Sequence, residues 1–435
     1  MIELTIDGKT VRVEDGATVL EACRAAEVEV PSMCFIEGCE AFASCMICVV
    51  REKVSGKLLP SCAAPASDGM QIDTRGKEVV AARRTSLELL LSDHTGDCEG
   101  PCRTACPADM NIPLMIRQVS AGKLEEAVAT VKEHIPLPAV LGWICPAPCE
   151  KNCRRGAIDE AVSICNLKRF VAEADLAGRK NFTPECGPPT GRSAAIVGAG
   201  PAGLSAAYFL RRHGHSCVIF EKKNLSGGAL RENIPENRLP RNVLDAEIDL
   251  IRQTGVEFRM NVNVGEETTI ADLKDGFDAV ILAVGNVPEQ QSCGLECKNG
   301  KITVNERSLQ TSDRKVFAAG SAIRKTRMAV RAVADARAAA FSVNLFLCGQ
   351  PPEIPARRFC SRIGKPGEEE KKEFMKGFDN RPNSYLPRGS SENLSGEDAR
   401  KEAGRCLECD CSRSESCSLR NYSDMYGAGQ NVYRD

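Results

Sequence analysis

The number and grouping of its cysteines limit most strongly what this chain can fold into. There are 23 cysteines among 435 residues, against four histidines and one tryptophan. Disulfide scaffolds are short chains with little apolar core, whereas this chain is long and 43% hydrophobic. Zinc modules use two compact cysteine pairs, whereas these cysteines fall in groups of three and four, two of them before proline (Cys106 and Cys145). Because Cys-Pro after a tight cysteine run is typical of ferredoxins, the pattern predicts iron–sulfur clusters.

The charge and hydropathy patterns exclude several classes of partner. The formal net charge is -2, with 57 basic and 59 acidic residues and no block of one sign, so no nucleic-acid partner is expected. No apolar run approaches the ~20 residues of a membrane span. Residues 1–5 alternate like a strand and include Glu3, which is unlike a signal peptide. We therefore expect a cytoplasmic protein.

Composition and periodicity predict a multidomain α/β and α+β fold. We expect a [2Fe–2S] ferredoxin-like domain over residues 1–80 and an α-helical domain with two [4Fe–4S] clusters over 83–182. A Rossmann-like dinucleotide domain follows over 192–350, and a linker with a C-terminal cysteine segment over 351–435. The resemblances given below imply FAD for the first and a [4Fe–4S] cluster for the second. Within the first domain, Asp7-Gly8 joins two short alternating segments and predicts a β-hairpin.

The first cysteine group lies in the first domain. A [2Fe–2S] centre needs four thiolates, usually three from one loop and one from further along the chain, which here are Cys34, Cys45, Cys48 and Cys62. Cys39 lies in the same loop and is an alternative first ligand. The segment resembles the β-grasp ferredoxin domain shared by the large iron–sulfur subunit of respiratory complex I and by iron-only hydrogenases. The long first gap in that family implies Cys34.

The second and third groups lie in the helical domain and act together. They are His94, Cys98, Cys102 and Cys106, followed by Cys145, Cys149, Cys153 and Cys165. Seven cysteines and one further ligand would hold two [4Fe–4S] clusters, with the ligands interleaved between them.

These two groups resemble the N-terminal domain of the glutamate synthase small chain and of dihydropyrimidine dehydrogenase. The resemblance implies one cluster on Cys98, Cys102 and Cys153. It implies the other on Cys106, Cys145 and Cys149. The chain departs from the family at both fourth ligands, and Cys165 is the candidate to complete this second cluster. The family's first cysteine is missing here, and His94 stands near its place. His-x3-Cys also resembles the His/Cys3 cluster motif of complex I, so His94 is a candidate ligand.

The fourth group lies near the end of the chain. Its members, Cys406, Cys409, Cys411 and Cys417, fit one [4Fe–4S] cluster or a structural zinc knot. The surrounding residues resemble the C-terminal cluster segment of glutamate-synthase-like flavoproteins, which favours the cluster. The remaining cysteines have no cluster assignment: 23, 39, 186, 217, 293, 297, 348 and 360. Among them, Cys23 and Cys217 are expected in the apolar core.

A glycine-rich loop between a strand and a helix predicts a dinucleotide site. The apolar residues 193–197 lead into the run Gly198, Ala199, Gly200, Pro201, Ala202 and Gly203. In such loops the first glycine makes a turn, the second lets the backbone approach a pyrophosphate, and the third lets the helix pack on the strand. Glu221 ends the next apolar segment, where it can accept a hydrogen bond from a ribose hydroxyl.

The later glycines specify the dinucleotide. Gly228, Gly285 and Gly320-Ser321 resemble the FAD half of two-dinucleotide-domain flavoproteins, which implies FAD. That family has Asp where this chain has Ser321. It also inserts an NAD(P)H domain between the two parts of the FAD domain. Only residues 286–315 are available here, fewer than such a domain needs, and the chain has no second GxGxxG motif. The pyridine-nucleotide domain is therefore expected to be absent.

Cluster motifs and a flavin, without an evident nucleophile–base pair, favour an electron-transfer subunit of a multi-subunit oxidoreductase. The partners expected are a formate dehydrogenase, hydrogenase or complex I-type flavin subunit, or a ferredoxin. An autonomous NAD(P)H dehydrogenase of the glutamate synthase small chain type is the alternative. A non-redox scaffold with zinc knots is a third hypothesis.

Overall fold

The computed structural model describes residues 1–178, 181–286, 295–325, 328–364, 367–378, 382–386 and 390–433. Its strands are β1 (Ile2–Ile6), β2 (Lys9–Val13), β3 (Val49–Glu52), β4 (Leu58–Pro60), β5 (Gln71–Asp73), β6 (Ser193–Val197), β7 (Ser216–Glu221), β8 (Glu257–Met260), β9 (Ala279–Leu282), β10 (Cys297–Lys298), β11 (Lys301–Ile302) and β12 (Val316–Ala318). Its helices are α1 (Val19–Ala25), α2 (Lys77–Ser92), α3 (Pro101–Ala105), α4 (Ile112–Ser120), α5 (Leu124–Lys132), α6 (Pro138–Ile144), α7 (Pro148–Lys151), α8 (Ile164–Ala177), α9 (Pro201–Arg212), α10 (Ala229–Glu232), α11 (Arg241–Gln253), α12 (Ile270–Gly276), α13 (Ala329–Leu347), α14 (Glu368–Met375), α15 (Gly396–Ala403) and α16 (Ser418–Tyr426). None of the helices in these described ranges is long and apolar enough to cross a membrane.

The chain divides into two compact units, each built from separate segments. Unit 1 comprises Met1–Glu99, Arg357–Lys365 and Asp410–Asp435, and unit 2 comprises Gly100–Ala356 and Pro366–Cys409. The stretch 351–435, predicted as one linker and cluster segment, is therefore split. The reason is apolar packing: α16 shares a core with Leu87 and Leu91 of α2, whereas Ala399 and Ala403 of α15 are buried in the helical core of unit 2.

Unit 1 is built on a mixed five-stranded sheet in the order β2-β1-β5-β3-β4. The β1–β2 hairpin turns at Asp7 and Gly8, which adopt φ values of 47° and 87°, as the sequence pattern predicts. Helix α1 begins at a capping box between Thr18 and Glu21 and buries Leu20 and the predicted core residue Cys23. These contacts fix one face of the sheet, and the cysteine loop 34–48 joins α1 to β3.

Unit 2 contains a parallel five-stranded sheet in the order β12-β9-β6-β7-β8. Residues 194–197 of β6 are buried on both faces, as expected of a parallel strand between two helical layers. Helices α9, α11 and α13 share the core on one face, in which Cys217 is buried as predicted. The other face packs against α12 and the loop after β8. The carboxyl ends of these strands meet at one edge.

Helices α3 to α8 form a separate apolar core within unit 2. Gly122 lies between α4 and α5 and has a φ of 73°. Glu247 of α11 joins the helices to the sheet layer, because its carboxylate accepts hydrogen bonds from the N–H groups of Ala139 and Val140 at 2.7 and 2.8 Å. Burial raises the pKa of this carboxyl to about 8. The first turn of α6 is thereby attached to the sheet layer, and Cys145 directly follows the end of this helix.

Candidate cofactor and metal centres

A cavity of about 600 Å³ lies at the carboxyl edge of the parallel sheet. Eight of the ten predicted dinucleotide residues line it: Gly198, Gly200, Pro201, Ala202, Glu221, Gly228, Gly285 and Ser321. The other two, Gly203 and Gly320, pack behind the cavity lining, where there is no room for a side chain. A Cβ on Gly203 would stand 1.8 Å from the carbonyl oxygen of Gly198, and one on Gly320 would stand 2.9 Å from the Cβ of Ala202.

The glycine loop has the shape that an extended phosphate ligand needs. Gly198 has a φ of 103°, and a Cβ there would meet the carbonyl oxygen of Ala283 at 2.6 Å. Gly200 differs, since nothing lies within 4 Å of its missing Cβ, and it directly precedes α9. The backbone at Gly200 is thus open to the cavity beside the positive end of a 12-residue helix. The residues fit a dinucleotide.

Glu221 makes contacts that the sequence did not predict. Its two carboxylate oxygens accept hydrogen bonds from the N–H of Ala199 at 2.7 Å and the N–H of Lys223 at 3.0 Å. The carboxylate therefore ties the glycine loop to the end of β7 and also faces the cavity. Each oxygen has a further lone pair available, so the predicted ribose contact fits this arrangement.

Several lining residues were missed by the sequence analysis: Lys222, Lys223, Asn263, Glu266 and Asn286. They follow the carboxyl ends of β7, β8 and β9, where ligands of open parallel sheets bind, and that rule could have found them. Lys301 was also missed. Its ammonium donates to the carbonyl oxygen of Ser321 at 2.6 Å, which places a positive charge beside the position where the related flavoproteins have Asp.

Four thiols line a small apolar cavity in the helical part of unit 2, called here the first thiol cavity: Cys106, Cys145, Cys149 and Cys165. Three come from the loops around α3, α6 and α7, and Cys165 is in the first turn of α8. Burial and the neighbouring thiols raise the pKa of Cys149 and of Cys106, while a hydrogen bond with Cys145 and burial raise that of Cys165. This set contains the Cys165 ligand expected from the sequence.

Lys168 is a buried cation facing the first thiol cavity. Its ammonium donates to the carbonyl oxygen of Leu141 at 3.2 Å, and the residue is only 5% exposed. Burial by itself lowers the pKa of this lysine, but the charges of the four cavity thiols raise it above its ordinary value. The lysine is therefore positioned to offset the negative charge of a thiolate cluster. Sequence analysis missed Lys168 because a lysine on a helix is usually solvated.

A second thiol cavity in unit 2 is lined by Cys102, Cys153, Cys406 and Cys409. Burial, and then the charges of the neighbouring thiols, raises the pKa of Cys102. The side chain of Arg155 also lines the cavity, and its guanidinium donates to the carbonyl oxygen of Arg405 at 2.6 Å. That bond holds the segment carrying Cys406 against the helices.

This grouping differs from the one expected from sequence. Cys406 and Cys409 were expected to share a cluster with Cys411 and Cys417, but those two belong to unit 1. Cys98 was expected beside Cys102 and Cys153, and it too belongs to unit 1. The physical reason is that α15 carries Cys406 and Cys409 onto the helical core of unit 2, which fills the place assigned to Cys98.

The three cavities of unit 2 share walls. Ile164 lines both thiol cavities. Val330 of α13 lines the first thiol cavity, and Ala332, two residues later, lines the dinucleotide cavity. The two thiol cavities therefore have one lining residue in common, and one helix, α13, contributes to both the first thiol cavity and the dinucleotide cavity.

In unit 1 the thiols of the first group lie together. Hydrogen bonds with Cys45 and Ser44 lower the pKa of Cys34 against the effect of burial. Burial, followed by the thiols of Cys48, Cys34 and Cys45, raises the pKa of Cys62 to about 12. Cys39 is exposed. The geometry therefore places Cys34, and not Cys39, with the other three.

Unit 1 also contains Cys98, Cys411 and Cys417, together with the unassigned Cys360. His94 follows the end of α2, is half-buried and lies against Gly96. Within the described ranges, no three His, Cys, Asp or Glu side chains are grouped as they would be around a single metal ion. Cys293 lies outside the described residues.

Four family models match the sequence. They are a 2Fe-2S iron-sulfur cluster binding domain over residues 1–77, dihydropyrimidine dehydrogenase domain II with a 4Fe-4S cluster over 92–180, an NAD(P)-binding Rossmann-like domain over 196–256 and a pyridine nucleotide-disulphide oxidoreductase domain over 229–336. The chain carries iron–sulfur domains and an oxidoreductase nucleotide-binding domain.

Curated relatives agree with these domains. The chain is 39% identical to the NADP(+)-dependent formate dehydrogenase subunit beta of Moorella thermoacetica over 42% of its own length and 29% of that protein. It is 38% identical to the NADPH-Fe(3+) oxidoreductase subunit beta of Geobacter sulfurreducens over 42% and 28%. It is 35% identical to the glutamate synthase [NADPH] small chain of Bacillus subtilis over 46% and 40%. The matches confirm the predicted resemblance, and they span less than half of each of these relatives.

Proposed function

We propose that this chain is an iron–sulfur flavoprotein electron-transfer subunit of a multi-subunit oxidoreductase. It relays electrons between FAD, one [2Fe–2S] cluster and about three [4Fe–4S] clusters. A flavin exchanges two electrons and a cluster one, so the bound groups would convert paired to single electrons.

The observation that carries this proposal is the continuity of the cavities in unit 2. Val330 and Ala332 of the same helix face a four-thiol cavity and a dinucleotide cavity, and Ile164 is shared by both thiol cavities. A series of redox groups with thin protein walls between them suits electron relay. The site residues include no evident nucleophile–base pair, so we assign substrate chemistry to a partner.

The cofactors follow from the lining residues. FAD would occupy the dinucleotide cavity, with its pyrophosphate at Gly200 and the start of α9 and a ribose at Glu221. One [4Fe–4S] cluster would bind in each thiol cavity of unit 2. The [2Fe–2S] cluster would bind to Cys34, Cys45, Cys48 and Cys62, on the sheet of unit 1, which we infer to be a β-grasp domain.

The partners are proposed from the relatives' names and from the cofactor set. Two relatives are beta subunits, of a formate dehydrogenase and of an NADPH-Fe(3+) oxidoreductase. We propose that this chain likewise exchanges electrons with a formate dehydrogenase, hydrogenase or complex I-type flavin subunit, or with a ferredoxin. The alternative is direct reduction of its flavin by NADH or NADPH, as in an autonomous dehydrogenase.

Anaerobic purification followed by iron, sulfide and flavin analysis tests the proposal. We expect about 14 iron atoms and one FAD per chain, counting one [2Fe–2S] and three [4Fe–4S] clusters. NADH and NADPH, added separately, should leave the flavin absorbance unchanged, whereas dithionite should bleach it. Rapid bleaching by either nucleotide would support the autonomous dehydrogenase, and a preparation without iron would contradict both.

Serine variants of Cys153 and Cys406 test the second thiol cavity. Because both thiols line it, Cys153→Ser and Cys406→Ser should remove the same electron paramagnetic resonance signal and about four iron atoms each. Flavin content should stay unchanged in both variants. Loss of two different signals would show that Cys406 serves a separate C-terminal cluster.

A further inference from the structure

Unit 1 contains four further thiols, of which only Cys98 lies within a matched family model. We propose that unit 1 holds a [4Fe–4S] cluster on four thiols, Cys98, Cys360, Cys411 and Cys417. Under this proposal, Cys98 binds a cluster in unit 1 and not one in the helical domain, and His94 is not a ligand. Cys360, to which the sequence analysis assigned no cluster, becomes a ligand.

The pairing of two chain segments brings Cys98 and Cys360 together. The N–H of Cys98 donates to the carbonyl oxygen of Ser361 at 3.3 Å, and the N–H of Ser361 donates to the sulfur of Cys98 at 3.4 Å. The Ser361 hydroxyl lies 3.3 Å from the same sulfur. The thiols of Cys98 and Cys360 also share a hydrogen bond. N–H···S bonds of this kind tune cluster potentials.

The C-terminal segment, which carries Cys411 and Cys417, pairs with the segment that carries Cys98. Asp410 forms a bridge with Asp97, and the N–H of Cys411 donates to the carbonyl oxygen of Cys98 at 3.4 Å. Cys417 is the residue directly before α16. Three segments that are far apart in sequence therefore meet, and each contributes at least one cysteine.

The positively charged guanidinium of Arg420 forms hydrogen bonds with residues of all three segments. Its side chain is only 1% exposed. The guanidinium donates to Glu99 at 2.5 Å, to the carbonyl oxygen of Phe359 at 2.7 Å and to that of Ser414 at 3.5 Å. Each acceptor lies within three residues of a proposed ligand. A buried guanidinium at this junction offsets the negative charge that four thiolates bring.

The site adjoins the first cysteine group through a shared apolar core. Phe359 and Leu419 pack with Cys34 and Cys45 in that core. Phe359 directly precedes Cys360, and Leu419 lies two residues after Cys417. A cluster here would therefore be a neighbour of the [2Fe–2S] site within unit 1.

The test compares Cys360→Ser with Cys348→Ser in the full chain purified anaerobically. Cys348 is an exposed thiol at the end of α13, so its variant controls for the loss of one cysteine. We expect Cys360→Ser to lose about four iron atoms, about four sulfides and one paramagnetic signal, and Cys348→Ser to lose none. Flavin content and flavin reduction by dithionite should be unchanged in both variants. A result that contradicts this cluster assignment would therefore leave the proposed electron-transfer function unaffected.

A second variant covers the case in which Cys360→Ser does not fold. Cys411 is exposed, so Cys411→Ser should fold and should lose the same signal as Cys360→Ser. Equal iron in these variants and in Cys348→Ser would overturn the proposal. So would the loss of one zinc ion in place of iron, which would make the site a structural zinc knot.

Discussion

Replacing Gly203 with alanine will destabilise unit 2, whereas replacing Gly200 with alanine will leave its stability nearly unchanged and weaken flavin binding. In Gly203→Ala, the new Cβ would overlap the carbonyl oxygen of Gly198 at 1.8 Å; the backbone fixes the position of the Cβ, and the oxygen is a backbone atom that cannot move aside cheaply. We expect a loss of about 3 kcal/mol or more of unfolding free energy.

Gly200 provides the matched control. Its φ is -80°, which alanine adopts readily, and nothing lies within 4 Å of the added Cβ. The methyl group would instead occupy the space where a pyrophosphate approaches the backbone. We expect the stability of the flavin-free protein to change by less than about 1 kcal/mol. Flavin affinity should fall by about 100-fold, or about 3 kcal/mol.

Thermal unfolding of the flavin-free proteins, together with flavin titration, measures both effects. The expected result is a lowered unfolding temperature only for Gly203→Ala and a weakened flavin affinity for Gly200→Ala. Normal flavin binding by Gly200→Ala would show that the cofactor does not approach this loop. Equal unfolding temperatures for the two variants would contradict the role of Gly203 in helix–strand packing.

Replacing Lys168 with methionine will lower the midpoint potential of the cluster in the first thiol cavity. Reduction adds a negative charge, which the buried ammonium stabilises in the native chain. A unit charge several ångström away at an effective dielectric constant near 20 contributes about 2 kcal/mol, which corresponds to on the order of 100 mV. Methionine is an unbranched side chain one heavy atom shorter than lysine and carries no charge, so the change removes the charge with little change of shape.

A redox titration followed by electron paramagnetic resonance measures this shift. The cluster of the second thiol cavity is the internal control, because Arg155 and not Lys168 lines that cavity. We expect a shift in one signal and little change in the other. An unchanged potential in both signals would show that Lys168 does not face a bound cluster.

Local patterns in the sequence were sufficient to predict iron–sulfur domains and a nucleotide-binding loop. The run from Gly198 to Gly203, followed by a helix and by Glu221, predicts a dinucleotide loop because these residues are close along the chain. Of the six site residues predicted in this stretch, five line one cavity, and Gly203 packs behind it. The hairpin at Asp7-Gly8 was predictable for the same reason, since it depends on the conformation of two adjacent residues.

The grouping of the thiols was decided by tertiary structure. Cys98 and Cys102 are four residues apart, and Cys409 and Cys411 are two apart, yet each pair is divided between the two units. Spacing alone could not show this, because it limits how close two thiols can come but does not say which cavity each one faces. The packing of α15 in unit 2 and of α16 in unit 1 decides it. The roles of Lys168, Arg420 and Cys360 could not be predicted from the sequence, because they depend on buried contacts between distant segments.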